Sequence, residues 1–364
     1  MGIARTAETT QSEVEELKRQ VLWCAGAHPT ILEDKEVDEE RRCGEDKDEE
    51  EEDDRLVCVT SGISYLGIAI VDCLLKCGYA VRAAVDKDED AEKVREMEIF
   101  GDRSNVVSVV TANLTEVKSL CEAFNGCCGV FHTSAFADPS GVSGYNKCMA
   151  DLEVKASENV LEACARTESV KKCVFTSSLL ACIWHNNNTL SSIPTVLDHK
   201  CWSDETVCRD KKLWFALGKT LAEKAAWRVA KECDVKLVTI CPGLITGPDF
   251  CRRNPTATIA YLKGVREMYT DGLLATSDVV RVADAHVRVY KAMKNRASGR
   301  YICFNNVIKR EEEAAEFATQ LEMHANRILG DDPTHSTSRF ILCNKKLSKL
   351  VSRPTRCSSF LRCN

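Results

Sequence analysis

A helical run in the second half of the chain carries side chains at a spacing that suits acid–base chemistry. The run LWFALGKTLAEKAAW spans residues 213–227 and places Phe215 four positions before Lys219. Residues four apart share one helix face, where a phenol and an ammonium group can act as a unit. Phe215 carries a phenyl ring instead, which neither gives nor takes a proton. The run therefore places an ammonium group and an aromatic ring without an ionisable proton on one helix face.

A second candidate site follows the first apolar run of the chain. LVCVT (56–60) predicts a short buried strand, and residues 66–77 predict a helix. Between them lies the loop Ser61-Gly62-Ile63-Ser64-Tyr65-Leu66-Gly67. A glycine-containing loop between a strand and a helix is typical of sites that bind the phosphates of a dinucleotide.

Strands and helices that alternate along the chain must position these groups. Apolar runs predict strands at 56–60, 81–85, 105–110, 129–133, 172–176, 236–241 and 299–304. Helical patterns lie between them, notably at 146–166 and 216–232. This alternation favours a parallel sheet with right-handed crossovers. We predict an α/β fold with a doubly wound, Rossmann-like parallel sheet and a smaller C-terminal substrate-binding lobe.

Three regions follow from the pattern. Residues 1–54 form an N-terminal extension, with a short amphipathic helix at 13–23 and an acidic run that we expect to be disordered. Residues 55–305 form the dinucleotide-binding domain, with substrate-lobe insertions near 186–212 and 243–275. Residues 306–364 complete that lobe. The acidic arm is either a solvated tail or an arm that binds a protein.

Composition narrows the classes of function. The net charge is −6, and no basic stripe with interleaved aromatic residues is present, so we expect no nucleic-acid partner. We also expect no membrane span and no secretory signal, although Met1-Gly2 opens a loose N-myristoylation pattern. The 21 cysteines include no Cys-x-x-Cys pair or zinc-ligand spacing. We therefore expect no metal site and a reducing, cytoplasmic location.

Six segments resemble, in order, the extended short-chain dehydrogenase/reductases of the plant cinnamoyl-CoA reductase and dihydroflavonol reductase branch. They are GVFHTSA (129–135), VFTSS (174–178), KLWFALGK (212–219), ICPGLITGP (240–248), SDVVRVADAHV (277–287) and ASGRYIC (297–303). The resemblance covers roughly residues 55–305. Within that branch the chain is similar to a cinnamoyl-CoA reductase-like group associated with plant defence.

The resemblance implies roles for three residues. In the family a serine at the end of the fifth strand holds the substrate carbonyl oxygen, and Ser178 occupies that position. The family's lysine positions the nicotinamide ribose and lowers the pKa of a tyrosine, which donates the proton. Lys219 matches this lysine, and Phe215 occupies the tyrosine position. Loss of a general acid typically costs about 10²–10⁴-fold in rate, so we expect weakened catalysis.

The resemblance also implies a nicotinamide cofactor, NADP or NAD. The residues expected to contact it are Ser61, Gly62, Ser64, Tyr65, Leu66, Gly67, Arg82, Asp86, Lys87, Asn113, Leu114, Lys219 and Pro242. In the family's G-x-x-G-x-x-G pattern only Gly67 matches, because serines replace the first two glycines. Either a serine hydroxyl donates to phosphate while Gly62 absorbs the turn, or the serine side chains weaken binding.

The choice of cofactor depends on charge at the end of the second strand. The family implies NADP, whereas Asp86 suits the ribose 2′-hydroxyl of NAD and repels a 2′-phosphate. Arg82 and Lys87 are close enough in sequence to neutralise such a phosphate.

We therefore predict an NAD(P)-dependent reductase of hydroxycinnamoyl-CoA or related phenylpropanoid carbonyls. The alternative is a catalytically inactive scaffold or cofactor sensor in plant defence signalling. His132, His185 and His286 are interpreted as structural.

Overall fold

The computed structural model describes residues 55–91, 107–133, 145–186, 195–295, 297–330 and 339–352. The predicted N-terminal helix, the acidic run and the acylation pattern lie outside the described residues. The described residues belong to one compact unit. Among the residues with described structure, no helix is both long enough and apolar enough to cross a membrane.

A sheet of seven parallel strands forms the centre of the fold. Its strands are β1 (Leu56–Val59), β2 (Ala80–Val85), β3 (Val107–Thr111), β4 (Gly129–His132), β5 (Lys172–Thr176), β7 (Lys236–Pro242) and β10 (Gly299–Cys303). They lie in the order β10-β7-β5-β4-β1-β2-β3. The direction of strand addition reverses between β1 and β4, as in a doubly wound fold. The predicted Rossmann-like fold class is confirmed.

Helices connect these strands and pack on both faces of the sheet. They are α1 (Tyr65–Lys76), α2 (Val117–Phe124), α3 (Lys147–Arg166), α4 (Leu180–Ile183), α5 (Glu205–Asp210), α6 (Trp214–Glu232), α7 (Phe250–Arg253), α8 (Pro255–Tyr261), α9 (Val265–Thr270), α10 (Val279–Ala292), α11 (Glu311–Gln320), α12 (Asn326–Leu329) and α13 (Lys345–Val351). A 3-10 turn, Met293–Asn295, extends α10. The helices predicted at 66–77, 146–166 and 216–232 correspond to α1, α3 and α6.

Alternating strand residues divide the core between the two faces of the sheet. Cys58, Val130 and Cys173 belong to one buried cluster, which contains α2, α3 and the second half of α6. Val57 and Phe131 belong to the other, which contains α1 and α10. Successive side chains of a strand point to opposite faces, so a strand buried on both faces must be apolar throughout. This explains the short, unbroken apolar runs in the sequence.

Shorter strands build the part of the chain outside the main sheet. They are β6 (Thr195–Leu197), β8 (Leu244–Thr246), β9 (Ala275–Asp278), β11 (Asn306–Val307) and β12 (Phe340–Leu342). Strands β11, β9 and β8 form one small sheet, and β12 pairs with β6 in another. The predicted insertion at 243–275 contains β8 and the helices α7, α8 and α9. These elements follow the carboxyl ends of the main strands, where substrate pockets form in open α/β sheets.

A buried ion pair fixes α6 against the sheet. Glu223 of α6 accepts from Arg300 of β10 through both carboxylate oxygens, at 2.7 and 3.0 Å. The hydroxyls of Ser177 and Thr239 each donate to the same carboxylate at 2.6 Å. The Arg300 guanidinium also lies 3.6 Å from the ring centroid of Trp202. One carboxylate therefore links α6 to β7, to β10 and to the residue that directly follows β5.

Removal of one partner of this pair should destabilise the protein strongly. For Arg300→Met we expect a loss of about 3–5 kcal/mol in the free energy of unfolding, because Glu223 stays buried without its counter-ion. The control is Arg228→Ala, whose exposed pairs with Glu158 and Glu232 are worth about 0–1 kcal/mol. Urea denaturation measures both. Similar losses in the two variants would contradict this account.

Candidate active site

Two adjacent serines follow β5 and have different roles. Ser177 donates to the buried Glu223 carboxylate and is therefore committed to the core. The Ser178 oxygen accepts from the backbone N–H of Leu180 at 3.2 Å, at the start of α4. An oxygen that accepts from an N–H still has its own O–H to donate. Ser178 therefore keeps a hydroxyl proton that can bind a substrate oxygen.

Helix α6 buries the candidate lysine instead of exposing it. Lys219 is 4% exposed, and its Nζ lies 5.6 Å from the ring centroid of Phe215. The ammonium forms an ion pair with Glu153 of α3, which is 2% exposed. Tyr145, just before α3, donates its phenol to the same carboxylate. The ring of Tyr145 meets that of Phe215 edge to face, with centroids 4.9 Å apart.

Sequence reasoning identified Phe215 and Lys219 but missed Glu153 and Tyr145. A signal was available for the glutamate. Glu153 lies four residues after Met149 and four before Ser157, both of which are buried. Residues at this spacing form the buried stripe of a helix, and a carboxylate on such a stripe requires a partner. The sequence does not indicate which cation that partner is, because α6 is about sixty residues away in the chain.

A buried histidine lies at the carboxyl end of β4, next to the point where the strand order reverses. His132 Nδ1 lies 3.0 Å from the hydroxyl of Thr60, which follows β1. Burial, together with the nearby charge of Lys219, lowers the pKa of His132 to about 3. The charge of Lys219 thus acts on the last residue of β4. The neutral ring of His132 agrees with a structural interpretation.

The other two histidines also have hydrogen-bond partners within the protein. His286 of α10 is fully buried, and its Nε2 lies 2.8 Å from the hydroxyl of Thr176. His185 Nε2 lies 3.0 Å from the carbonyl oxygen of Cys182. Among the described parts of the chain, no group of three His, Cys, Asp or Glu residues is placed to hold a metal ion.

The loop after β1 makes a tight turn, but not in the predicted way. Ser61 adopts a left-handed conformation with φ of 48°, so Ser61 rather than Gly62 absorbs the turn. Gly62 is required for packing, because a Cβ there would lie 2.6 Å from the Cβ of Ala83. A Cβ on Gly67 would overlap the carbonyl oxygen of Ser61. Of the two alternatives, the one in which Gly62 absorbs the turn does not match the structure, although both glycines are needed.

Ser64 caps helix α1 from inside this loop. Its hydroxyl oxygen accepts from the backbone N–H of Gly67 at 3.0 Å. Tyr65 and Leu66 are the first two residues of α1, and the N–H groups of a first turn have no partner within the helix. Such a terminus, next to the reversal of strand order, is where α/β folds bind the pyrophosphate of a dinucleotide. The described residues fit that group.

Arg82 does not lie where the sequence placed it. It is the third residue of β2, and its guanidinium donates to the carbonyl oxygens of Ala123 and Asn125, at the end of α2. It therefore cannot also neutralise a phosphate beyond the carboxyl end of β2. Asp86 and Lys87 directly follow β2 and are exposed. Partial desolvation and the charge of Asp90 raise the pKa of Asp86.

The remaining predicted cofactor residues lie at or near the ends of helices and strands. Asn113 follows β3, and its side-chain oxygen accepts from the N–H of Thr115 at 2.9 Å. The carbonyl oxygen of Leu114 accepts from Asn159 of α3 at 3.1 Å. Pro242 ends β7, and its carbonyl oxygen accepts from the N–H of Leu179 at 2.7 Å. The Tyr65 phenol donates to the carbonyl oxygen of Pro248 at 3.2 Å.

The doubly wound sheet, the turn after β1, the serine that follows β5 and the lysine of α6 are together typical of a short-chain dehydrogenase/reductase fold. Residues 58–306 match the 3-beta hydroxysteroid dehydrogenase/isomerase family. This chain belongs to that family.

Two relatives indicate which members of the family this chain resembles. The chain is 36% identical over 260 residues to cinnamoyl-CoA reductase 1 of Petunia hybrida, covering 70% of this chain and 74% of the relative. It is 33% identical over 254 residues to a bifunctional dihydroflavonol 4-reductase/flavanone 4-reductase of Pyrus communis, covering 68% and 71%. Within its family this is a cinnamoyl-CoA reductase-like protein.

Solved structures agree on the fold. Vestitone reductase from alfalfa superposes with a TM-score of 0.59 at 26% identity, covering 81% of this chain and 91% of that one. Yeast methylglyoxal/isovaleraldehyde reductase Gre2, solved with NADPH, superposes with a TM-score of 0.62 at 20% identity, covering 81% and 92%.

The buried histidines predict an acid-sensitive fold. Burial lowers the pKa of His132 to about 3 and of His286 to about 4, so the unfolded chain binds more protons below the ordinary value of 6.5. Stability should therefore fall as the pH drops below 6.5. Between about pH 7 and pH 5, each histidine should lower the free energy of unfolding by about 2 kcal/mol.

The variant His132→Asn tests this effect by urea denaturation at the two pH values. We expect its loss on acidification to be smaller than that of the parent by about 2 kcal/mol. The exposed His324→Asn serves as the control and should behave like the parent. An unchanged pH dependence in His132→Asn would contradict the buried, neutral state of that ring.

Proposed function

We propose that this protein binds a nicotinamide dinucleotide and slowly reduces hydroxycinnamoyl-CoA or related phenylpropanoid carbonyls. The observation that carries the proposal is the position of Lys219. Its ammonium is buried on α6, beside the ring of Phe215, and after burial its charge is the second cause of the low pKa of His132, at the end of β4. A positive charge there lies beside the reversal of strand order, where such folds bind dinucleotides. The curated relatives named above are reductases of this kind.

The described residues support part of the chemistry. A bound nicotinamide supplies the hydride. The Ser178 hydroxyl can donate to the substrate oxygen while its own oxygen accepts from Leu180. Phe215 offers no proton to the oxygen on which charge develops, so water must supply it. We expect turnover about 10²–10⁴-fold below that of a site with a positioned general acid.

A second candidate is a non-catalytic scaffold or cofactor sensor in plant defence signalling. One observation favours it specifically: the ammonium of Lys219 is already paired with Glu153. A lysine held in this way supports binding in the crevice without supporting proton transfer.

Calorimetry with NADH and NADPH, followed by turnover of feruloyl-CoA, separates the candidates. We expect measurable cofactor binding and slow oxidation of the reduced cofactor, which Ser178→Ala should abolish. Binding of neither cofactor at millimolar concentration would refute the reductase and the cofactor sensor and leave only the scaffold. Binding with no turnover above that of Ser178→Ala would leave the sensor as the function.

Charge at the end of β2 leads us to propose NAD(H) over NADP(H). Asp86 is exposed there, whereas the guanidinium of Arg82 donates to the carbonyl oxygen of Ala123 in α2. A carboxylate accepts from a ribose 2′-hydroxyl and repels a 2′-phosphate.

For Asp86→Asn we therefore expect NADPH to bind at least about tenfold more tightly than it binds the parent, with little change for NADH. The matched control is Glu89→Gln, which removes the same charge from an exposed position three residues further on. Calorimetric dissociation constants provide the measurement. Equal gains in both variants would indicate a general effect of net charge and contradict a specific role of Asp86.

A further inference from the structure

Four buried side chains contact one another in this site. We call them the Lys219 cluster: Tyr145, Glu153, Phe215 and Lys219. Glu153 engages both of its oxygens. One forms the ion pair with the Lys219 ammonium, and the other accepts from the Tyr145 phenol. The side chains of Lys219 and Glu153 are 5% and 2% exposed, so water screens this pair very little.

The partner of Lys219 changes what its charge can do. In a buried site an ammonium favours the ionised form of a neighbouring phenol. A carboxylate in contact with that ammonium opposes the effect, because it repels the phenolate. Position 215 lies beside this pair: the ring of Phe215 lies 5.6 Å from Nζ and packs against the ring of Tyr145, whose phenol donates to Glu153. Glu153 therefore removes much of the field that a proton donor at position 215 would need.

Tyr145 does not replace the missing donor. Its phenol donates to Glu153, and burial and the negative charge of that carboxylate both raise the pKa of Tyr145. A phenol held in this way keeps its proton. Its ring supports Phe215 from the side, with an interplanar angle of 70°.

We infer that Glu153 is a positioning residue that holds the Lys219 ammonium in a neutral pair and so limits proton transfer at this site independently of Phe215. The site thus carries two separate obstacles. The first is the absence of a phenol at position 215, and the second is the neutralised charge of the lysine that would activate one. The effect on turnover rests on the proposed function, whereas the electrostatic effect can be measured without any substrate or cofactor.

The experiment introduces a phenol as a reporter and titrates it. Phe215→Tyr is compared with the double variant Phe215→Tyr/Glu153→Gln, and the parent is subtracted to remove the seven native tyrosines. Glutamine keeps the size of the side chain and an oxygen that can accept from Tyr145, but it removes the charge. Absorbance of the phenolate during a pH titration gives the pKa of the introduced phenol.

We expect the phenol in Phe215→Tyr to titrate at or above the ordinary value of about 10. In the double variant it should titrate at least about one pH unit lower, because the lysine then acts on it without compensation. Phe215→Tyr/Glu153→Asp is the matched control, which retains the charge and should titrate near the single variant. Near-ultraviolet circular dichroism checks that each variant is folded.

Two results would overturn the inference. One is a phenol in Phe215→Tyr alone that already titrates well below 10. This result needs no change at Glu153, so it remains decisive if the double variant fails to fold. The other is an equal titration in the single and double variants.

Turnover of feruloyl-CoA extends the test. Phe215→Tyr alone should gain less than about threefold, and the double variant with Glu153→Gln at least about tenfold. A full gain from Phe215→Tyr alone would contradict a limiting role of Glu153. If the phenol titrates as expected and no variant turns over, the proposed reductase function fails while the inference about Glu153 stands.

Discussion

The buried ion pair between Glu223 and Arg300 is the interaction on which the geometry of the site depends. It links α6 to β10, and through Ser177 and Thr239 to β5 and β7. A carboxylate this deep is stable only with its counter-ion and its hydrogen-bond donors in place. It therefore sets the position of α6, and with it that of Lys219, one helical turn earlier on the same helix.

The second ion pair of α6 has a different consequence. The ion pair of Glu153 and Lys219 joins α3 to α6 with no strand between them. In this pair the negative charge of the carboxylate offsets the positive charge of the ammonium. Among the described residues Ser178 keeps its hydroxyl just after β5, while position 215 carries a phenyl ring that has no proton to donate. The strained turn at Ser61 adds a third departure, on the side where a dinucleotide would bind.

Much of the fold could be predicted because its signals are local. Unbroken apolar runs mark strands buried on both faces, and their alternation with helices determines a parallel sheet. The positions of Ser178, Phe215 and Lys219 followed from motifs whose spacing is fixed within one element. Glu153 and the orientation of Arg82 could not be predicted in the same way. Each depends on which distant helix faces the side chain, and a single sequence does not contain that information. The turn at Ser61 was missed for a related reason: Gly62 has the freer backbone, but it is required for packing against Ala83.

We infer that Lys219 stays paired with Glu153 and is not released to a cofactor. A crystal structure of the full chain grown with NADH tests this inference. We expect Nζ of Lys219 to stay within ion-pair distance of the Glu153 carboxylate, with the Tyr145 phenol still on the other oxygen. A structure in which Lys219 has left Glu153 and binds the hydroxyls of the nicotinamide ribose would contradict it.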